Sequence, residues 1–176
     1  MQKFLSKGAS APFRLALAGL IAALYAALTL LFAPISFGPV QFRVSEALTL
    51  LPVLFPQAIP GLTLGCLAAN LIGSPTPWDA VFGTLATLLA ALGTRALRKN
   101  IWLASLPPLV VNSLIVGPML HFTMAWSLPL AMGSILLGEA AVVYALGIPL
   151  LAALCKLFSF SPGLEIFTFT KNKPAR

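Results

Sequence analysis

The sequence predicts an all-α membrane protein, a six-transmembrane-helix bundle formed by one integral membrane domain over residues 1–176. Three observations lead there. The first is composition. The chain is 59% hydrophobic and only 9% charged, with a mean hydropathy of +0.98. A soluble domain is roughly 45–50% apolar and about 25% charged. A water-soluble fold of 176 residues has nowhere to put that apolar surplus. Composition therefore excludes a soluble globular protein, a disordered chain and a nucleic-acid-binding module. The second is spacing. Charge-free runs of 28, 32 and 39 residues separate Arg14 from Arg43, Glu46 from Asp79, and Lys99 from Glu139. About 20 apolar residues cross ~30 Å of hydrocarbon as a helix. The third is the distribution of the basic residues, which gives the bundle an orientation.

The first run predicts one long helix over about 14–37. It is too long for a signal-peptide core, and no small-residue cleavage site follows it, so it is read as retained. The second run contains Pro52, Pro56, Pro60 and Gly61. Proline breaks helices or sits in their first turn, which splits the run into helices over about 44–55 and 58–72. The first of these is short for a membrane, so it must be tilted or shielded by its neighbours. A fourth helix covers about 79–97. A fifth covers about 101–116, kinked at Pro107–Pro108 and ended by Gly117–Pro118. A sixth covers about 128–158, followed by a polar tail over 159–176. Cys66 and Cys155 lie at different depths in this scheme, so they read as small apolar residues rather than as a disulfide.

Cytoplasmic segments are rich in Lys and Arg. With six helices and a cytoplasmic N-terminus, ten of the 11 basic residues fall inside: Lys3, Lys7, Arg14, Arg95, Arg98, Lys99, Lys156, Lys171, Lys173 and Arg176. A single span over 44–78 would put Arg95, Arg98 and Lys99 outside. Both termini are thus expected in the cytoplasm of a multi-pass protein of the bacterial plasma membrane. The net charge of +7 reads as an orientation signal and a contact for anionic membrane lipid, not as a nucleic-acid site.

The few acids carry the functional information. Glu139 falls near mid-membrane, where a carboxylate costs at least ~2.5–3.5 kcal/mol and usually marks a substrate path or relay. Asp79 opens a helix after the turn 73–78. It suits either the helix macrodipole or a ligand. Glu46 and Arg43 have the i,i+3 spacing of a simple surface pair or of a two-charge site. Trp78 fits a stacking platform for a flat ligand or an interfacial belt. Asn70 and Asn112 suit interhelical hydrogen bonds, and His121 an interface. Glu165 alone of the acids is inside. No phosphate loop of the GxxxxGK[ST] form, no HExxH and no GxSxG elbow occurs. No catalytic residue, metal site or cofactor is expected, and the protein reads as a non-enzyme.

The first helix has two small-residue rows spaced by four: Ala18, Ala22 and Ala26, and beside them Gly19, Ala23 and Ala27. Such a face lets another helix approach closely. It serves either packing within the bundle or docking to a second membrane protein.

Three stretches resemble the QueT family: PISFGPVQFRVSEALTLLP at 34–52, IPGLTLGCLAAN at 59–70 and WDAVFGTLATLLA at 78–90. Together they cover much of residues 14–95. These proteins are substrate-binding (S) components of energy-coupling factor (ECF) transporters for queuosine precursors. The resemblance implies six helices with both termini inside and a substrate pocket open to the outside. It implies an ECF transmembrane coupling subunit and two ATPase subunits as partners, which accounts for the missing phosphate loop. It also implies docking through small residues of the first helix, matched here by Ala18, Ala22 and Ala26 or by Gly19 and Ala23. The implied ligand is a 7-deazaguanine base, in cyano or aminomethyl form. Glu139 would accept the two N–H donors of its guanine edge. Asp79 or Glu46 would neutralise the aminomethyl cation, Trp78 would stack on the base, and Asn70 or Asn112 would donate to its carbonyl. The alternatives are a self-sufficient or proton-coupled small-solute transporter using Glu139, and an S component for another vitamin or base.

Overall fold

The computed structural model describes residues 10–37 and 41–157. Lys3, Lys7, Glu165, Lys171, Lys173 and Arg176 lie outside them. The described residues are helical, with no strand among them. The first helix, α1 (Ala11–Leu31), starts with proline in its first turn. There the missing N–H removes a donor that no carbonyl would have met. A single further turn, Ala33–Ser36, follows, and residues 41–43 then lead into a 3₁₀ segment, Val44–Val53. After it come α2 (Ala58–Gly73), α3 (Pro77–Ala96), α4 (Ile101–Met124) and α5 (Leu128–Leu157). Three of these, α1, α4 and α5, are long and apolar enough to cross a membrane.

Each helix packs on its sequence neighbours: α1 on α2, α2 on α3, α3 on α4 and α4 on α5. The 3₁₀ segment plugs this arc, touching α1, α2, α3 and both halves of α5. Nine of its ten residues are buried. The sequence suggested a short α-helix here. Pro52 lies inside the segment and cannot donate a backbone hydrogen bond, while the tighter winding advances ~2 Å per residue instead of ~1.5 Å. Ten residues therefore reach about a third farther than they would as an α-helix, and the surrounding helices supply the shielding.

Other helix ends follow local chemistry. Pro107 and Pro108 sit in the first turn of a new helical stretch that starts at Leu106, after a break at Ser105. They start a helix rather than bend one. The α4 helix runs on through Pro118 to Met124 and stops at Ala125, whose φ of 54° is left-handed. Asn100 caps its start, its side chain accepting from the Trp102 and Leu103 amides at 3.0 and 3.4 Å. A π-helical turn, Val143–Gly147, interrupts α5. The α1–α2 contact depends on glycine. A methyl group at Gly61 would lie 2.7 Å from the Ala18 carbonyl oxygen, and one at Gly65 would lie 2.6 Å from that of Ala22. At the end of the bundle away from Arg43, Leu50, Leu51, Leu54 and Phe55 pack against Leu62, Ile101 and Leu151.

Candidate functional site

The opposite end of the 3₁₀ segment is polar. Three residues per turn stack i on i+3, so Glu46 and Thr49 form one row, and Thr49 Oγ1 donates to the Glu46 carbonyl at 2.6 Å. Arg43 stands just ahead of the segment. Arg43 and Glu46 are both buried, so they are not a surface pair. No hydrogen bond joins them. Arg43 Nε donates to the Ser36 carbonyl at 3.4 Å, and its guanidinium lies 5.2 Å from the Phe37 ring centroid. Glu46 Oε1 instead accepts from the Tyr25 hydroxyl of α1.

The arc brings the other predicted residues to the same region. Asn70, near the end of α2, donates from Nδ2 to the Asp79 carbonyl of α3 at 2.8 Å. Gly83, one turn further along α3, makes room for this. A methyl group there would lie 2.8 Å from Asn70 Nδ2 and 3.8 Å from Arg43 Nη1. The Asp79 carboxylate accepts from the Ser74 hydroxyl and, at 3.3 Å, from Thr76 Oγ1. Asn112 of α4 donates to Glu139 Oε1 of α5 at 2.6 Å. Gly138, beside Glu139, has no side chain to block the chain at Gln41, whose carbonyl oxygen occupies that space. Arg43 is within electrostatic range of Glu46 and Asp79, and Glu139 is within range of Glu46 and Arg43.

Five polar atoms in this cluster are buried without a hydrogen-bond partner: Arg43 Nη2, Glu46 Oε2, Asn70 Oδ1, Asp79 Oδ1 and Glu139 Oε2. Buried polar groups are overwhelmingly paired, so each orphan needs a reason. Here they concentrate on residues that the sequence had singled out. They also lean to one sign, with four acceptors against one donor, and Ser36 Oγ beside Arg43, also unpartnered, can act as either. Among the described residues, no group of three or more His, Cys, Asp or Glu is placed to hold a metal ion.

Trp78 lies elsewhere. It is 55% exposed while the adjacent Asp79 is buried, because consecutive residues on a helix do not share a face. Its ring is 6.0 Å from that of Phe82. Both line an apolar cleft of about 310 Å³ with Pro118, Met119, Phe122 and Thr123. That cleft contains none of the buried charged residues. His121 Nδ1 bonds the Trp126 carbonyl at the end of α4. The small-residue rows of α1 also separate. Ala18 and Ala22 pack against Gly61 and Gly65, and Ala26 is half-buried; Gly19, Ala23 and Ala27 are exposed.

Sequence reasoning missed Tyr25, Thr29, Ser45 and Gln41, all buried near the charged residues or their backbone. Tyr25 had a signal, being one of two tyrosines in the chain and set in an otherwise Ala- and Leu-rich helix. Cys66 and Cys155 are free and buried. Cys66 Sγ accepts from Thr87 Oγ1 at 3.2 Å.

One curated relative, the queuosine precursor transporter QueT of Lactococcus lactis subsp. cremoris (strain MG1363), is 40% identical over 72 residues. The match spans 40% of this chain and 42% of that relative, less than half of either. No solved structure matches. Residues 15–156 match the family described as QueT transporter. With most of its length covered by that match, the chain belongs to the QueT transporter family.

Proposed function

We propose that this protein is the substrate-binding membrane subunit of an ATP-driven importer, and that it captures a queuosine precursor, a 7-deazaguanine base, from outside the cell. The observation that carries the reading is the buried cluster of unpartnered atoms, rich in acceptors, in a chain of this family. A 7-deazaguanine presents N–H donors along its guanine edge and one carbonyl acceptor. Glu139 accepts from the guanine edge, and Arg43 Nη2 donates to the carbonyl. Asp79, Asn70 and Glu46 take the remaining donors, including the ammonium of the aminomethyl form. Charge-assisted bonds of this kind are about twice as strong as neutral ones. The name of the Lactococcus lactis relative supports the same substrate class.

The chain crosses the membrane six times, with both termini in the cytoplasm. The five helices and the 3₁₀ segment supply the six crossings, and Arg95, Arg98 and Lys99 then lie on the cytoplasmic side. The site opens outward. A transmembrane coupling subunit docks on the exposed row Gly19, Ala23 and Ala27, two ATPase subunits complete the importer, and Trp78 stacks on the base as it enters.

Two experiments test this. Binding to the folded form raises stability by RT ln(1 + [L]/Kd), so micromolar ligands should shift the melting temperature of the detergent-purified chain. The expected result is a shift with 7-deazaguanines and none with guanine or common vitamins. A shift with another compound alone overturns the substrate, and none with any compound overturns the binding role. Separately, Ala23→Leu should leave that shift intact and abolish cellular uptake. Continued uptake would remove the docking row.

A further inference from the structure

Arg43 and Glu46 are opposite charges three residues apart, both buried and near each other. In a low-dielectric interior the default outcome is collapse into an ion pair, because Coulomb attraction strengthens as water is removed. Yet Arg43 Nη2 and Glu46 Oε2 both lack a partner. Something holds the two apart. On the arginine side it is the Ser36 carbonyl and the Phe37 ring. On the glutamate side it is α1.

The contact with α1 has two adjacent rungs. Thr29 Oγ1 donates to the Tyr25 carbonyl at 2.9 Å, one turn back. Its single proton is thereby used, so in its 2.7 Å contact with Ser45 Oγ it is the acceptor and Ser45 the donor. The next residue, Glu46, receives the Tyr25 proton on Oε1. Register and direction are both fixed: Ser45 is pinned first, and the phenol then takes one carboxylate oxygen. Tyr25 and Thr29 are fully buried, so water does not compete.

We propose that Tyr25 is a positioning residue that keeps the substrate site from neutralising itself. By occupying Glu46 Oε1 it holds the carboxylate away from Arg43, leaving Oε2 and Nη2 free for ligand donors and acceptors. This rests on the proposed substrate-binding role and deepens it. The consequence is a trade of stability for affinity at one hydroxyl. Without it, Glu46 closes on Arg43, and the empty protein gains an ion pair that every ligand must then break.

The test is a double-mutant cycle on the detergent-purified full chain, with 7-aminomethyl-7-deazaguanine as the probe. Tyr25→Phe should weaken binding about tenfold, or ~1.4 kcal/mol, while the melting temperature of the ligand-free protein stays at or above wild type. In a Glu46→Gln background, Tyr25→Phe should have no further effect on affinity, because the charge it restrains is gone. Thr29→Val, which loosens the first rung, should weaken binding a few-fold in the same direction. The inference is overturned if Tyr25→Phe binds like wild type, if its ligand-free melting temperature falls as a merely structural loss requires, or if the two losses multiply. A wild-type chain that binds none of these bases defeats the substrate-binding role itself. Wild-type binding with an indifferent Tyr25→Phe defeats only the positioning role.

Discussion

Two arginines meet the 3₁₀ segment, one at each end, and their situations are opposite. Arg95 of α3 reaches the last turn, where its Nη1 donates to the carbonyls of Pro52 and Val53, both at 3.0 Å. Those carbonyls end a helix and would otherwise lack donors. Arg43 stands at the other end with Nη2 buried and unpartnered, among three carboxylates that are each short of one bond. Residue type and the segment approached are the same; the difference is completion. At the Arg95 end Nη1 has two acceptors and the core side chains are apolar. Among the described residues, Gln57 Oε1, four residues past Val53, is the one buried side-chain polar atom left without a partner there. At the Arg43 end the network remains open, with Arg43 Nη2, Glu46 Oε2, Asp79 Oδ1 and Glu139 Oε2 all without a partner. On the proposed function, the completed contacts hold the fold and the incomplete ones at Arg43, Glu46, Asp79 and Glu139 are left for a ligand.

That contrast can be tested at both ends. Glu139→Gln removes an acceptor from the open end. It should weaken base binding by more than tenfold with the ligand-free melting curve unchanged, read by isothermal titration beside a thermal scan. Unchanged affinity would take Glu139 out of the site. Arg95→Met does the reverse. Hydrogen bonds from a charged donor are worth about 1.5–3 kcal/mol, so the variant should lose stability of that order while Kd stays at the wild-type value. If it lost affinity instead, the two ends would not be separable. A smaller effect is expected at Gly83. In Gly83→Ala the new methyl displaces the Asn70 amide from its position 2.8 Å away, lowering affinity by several-fold with stability nearly intact. Equal binding would show that the Asn70 position has no role in recognition.

Much of this was legible in the sequence, for stated physical reasons. Charge-free runs and their prolines located α1, the 3₁₀ segment, α2 and α4, because burying a charge in hydrocarbon is expensive wherever it falls. The same reasoning singled out the acids and Arg43, and the structure buries Arg43, Glu46, Asp79 and Glu139. Four features were not legible. The 3₁₀ winding of Val44–Val53 depends on enclosure by neighbours as well as on Pro52. Pro118 looked like a helix end, but α4 passes through it to Ala125. The two small-residue rows of α1 have identical spacing. Only the position of Gly61 and Gly65 on α2 assigns Ala18 and Ala22 inward and leaves Gly19 and Ala23 exposed. Trp78 and Asp79 were read together as neighbours in sequence, yet the helix turns them to different surroundings.

The sequential arc also bears on how the protein assembles. Helix hairpins between consecutive elements have low contact order, and such contacts form early because little loop entropy is lost in closing them. The 3₁₀ segment breaks that pattern, since it lies between α1 and α2 in the chain but packs on α5, about 90 residues further on. Most of its contacts with α5 are to the second half of that helix, Val143–Leu157, and fewer are to the half that carries Glu139. A nascent chain that has made α1 to α4 already has the hairpins between them, but the 3₁₀ segment is not enclosed, and Glu139 is not in place, until α5 arrives. Enclosing the 3₁₀ segment and completing the fold are, in this molecule, the same event in space.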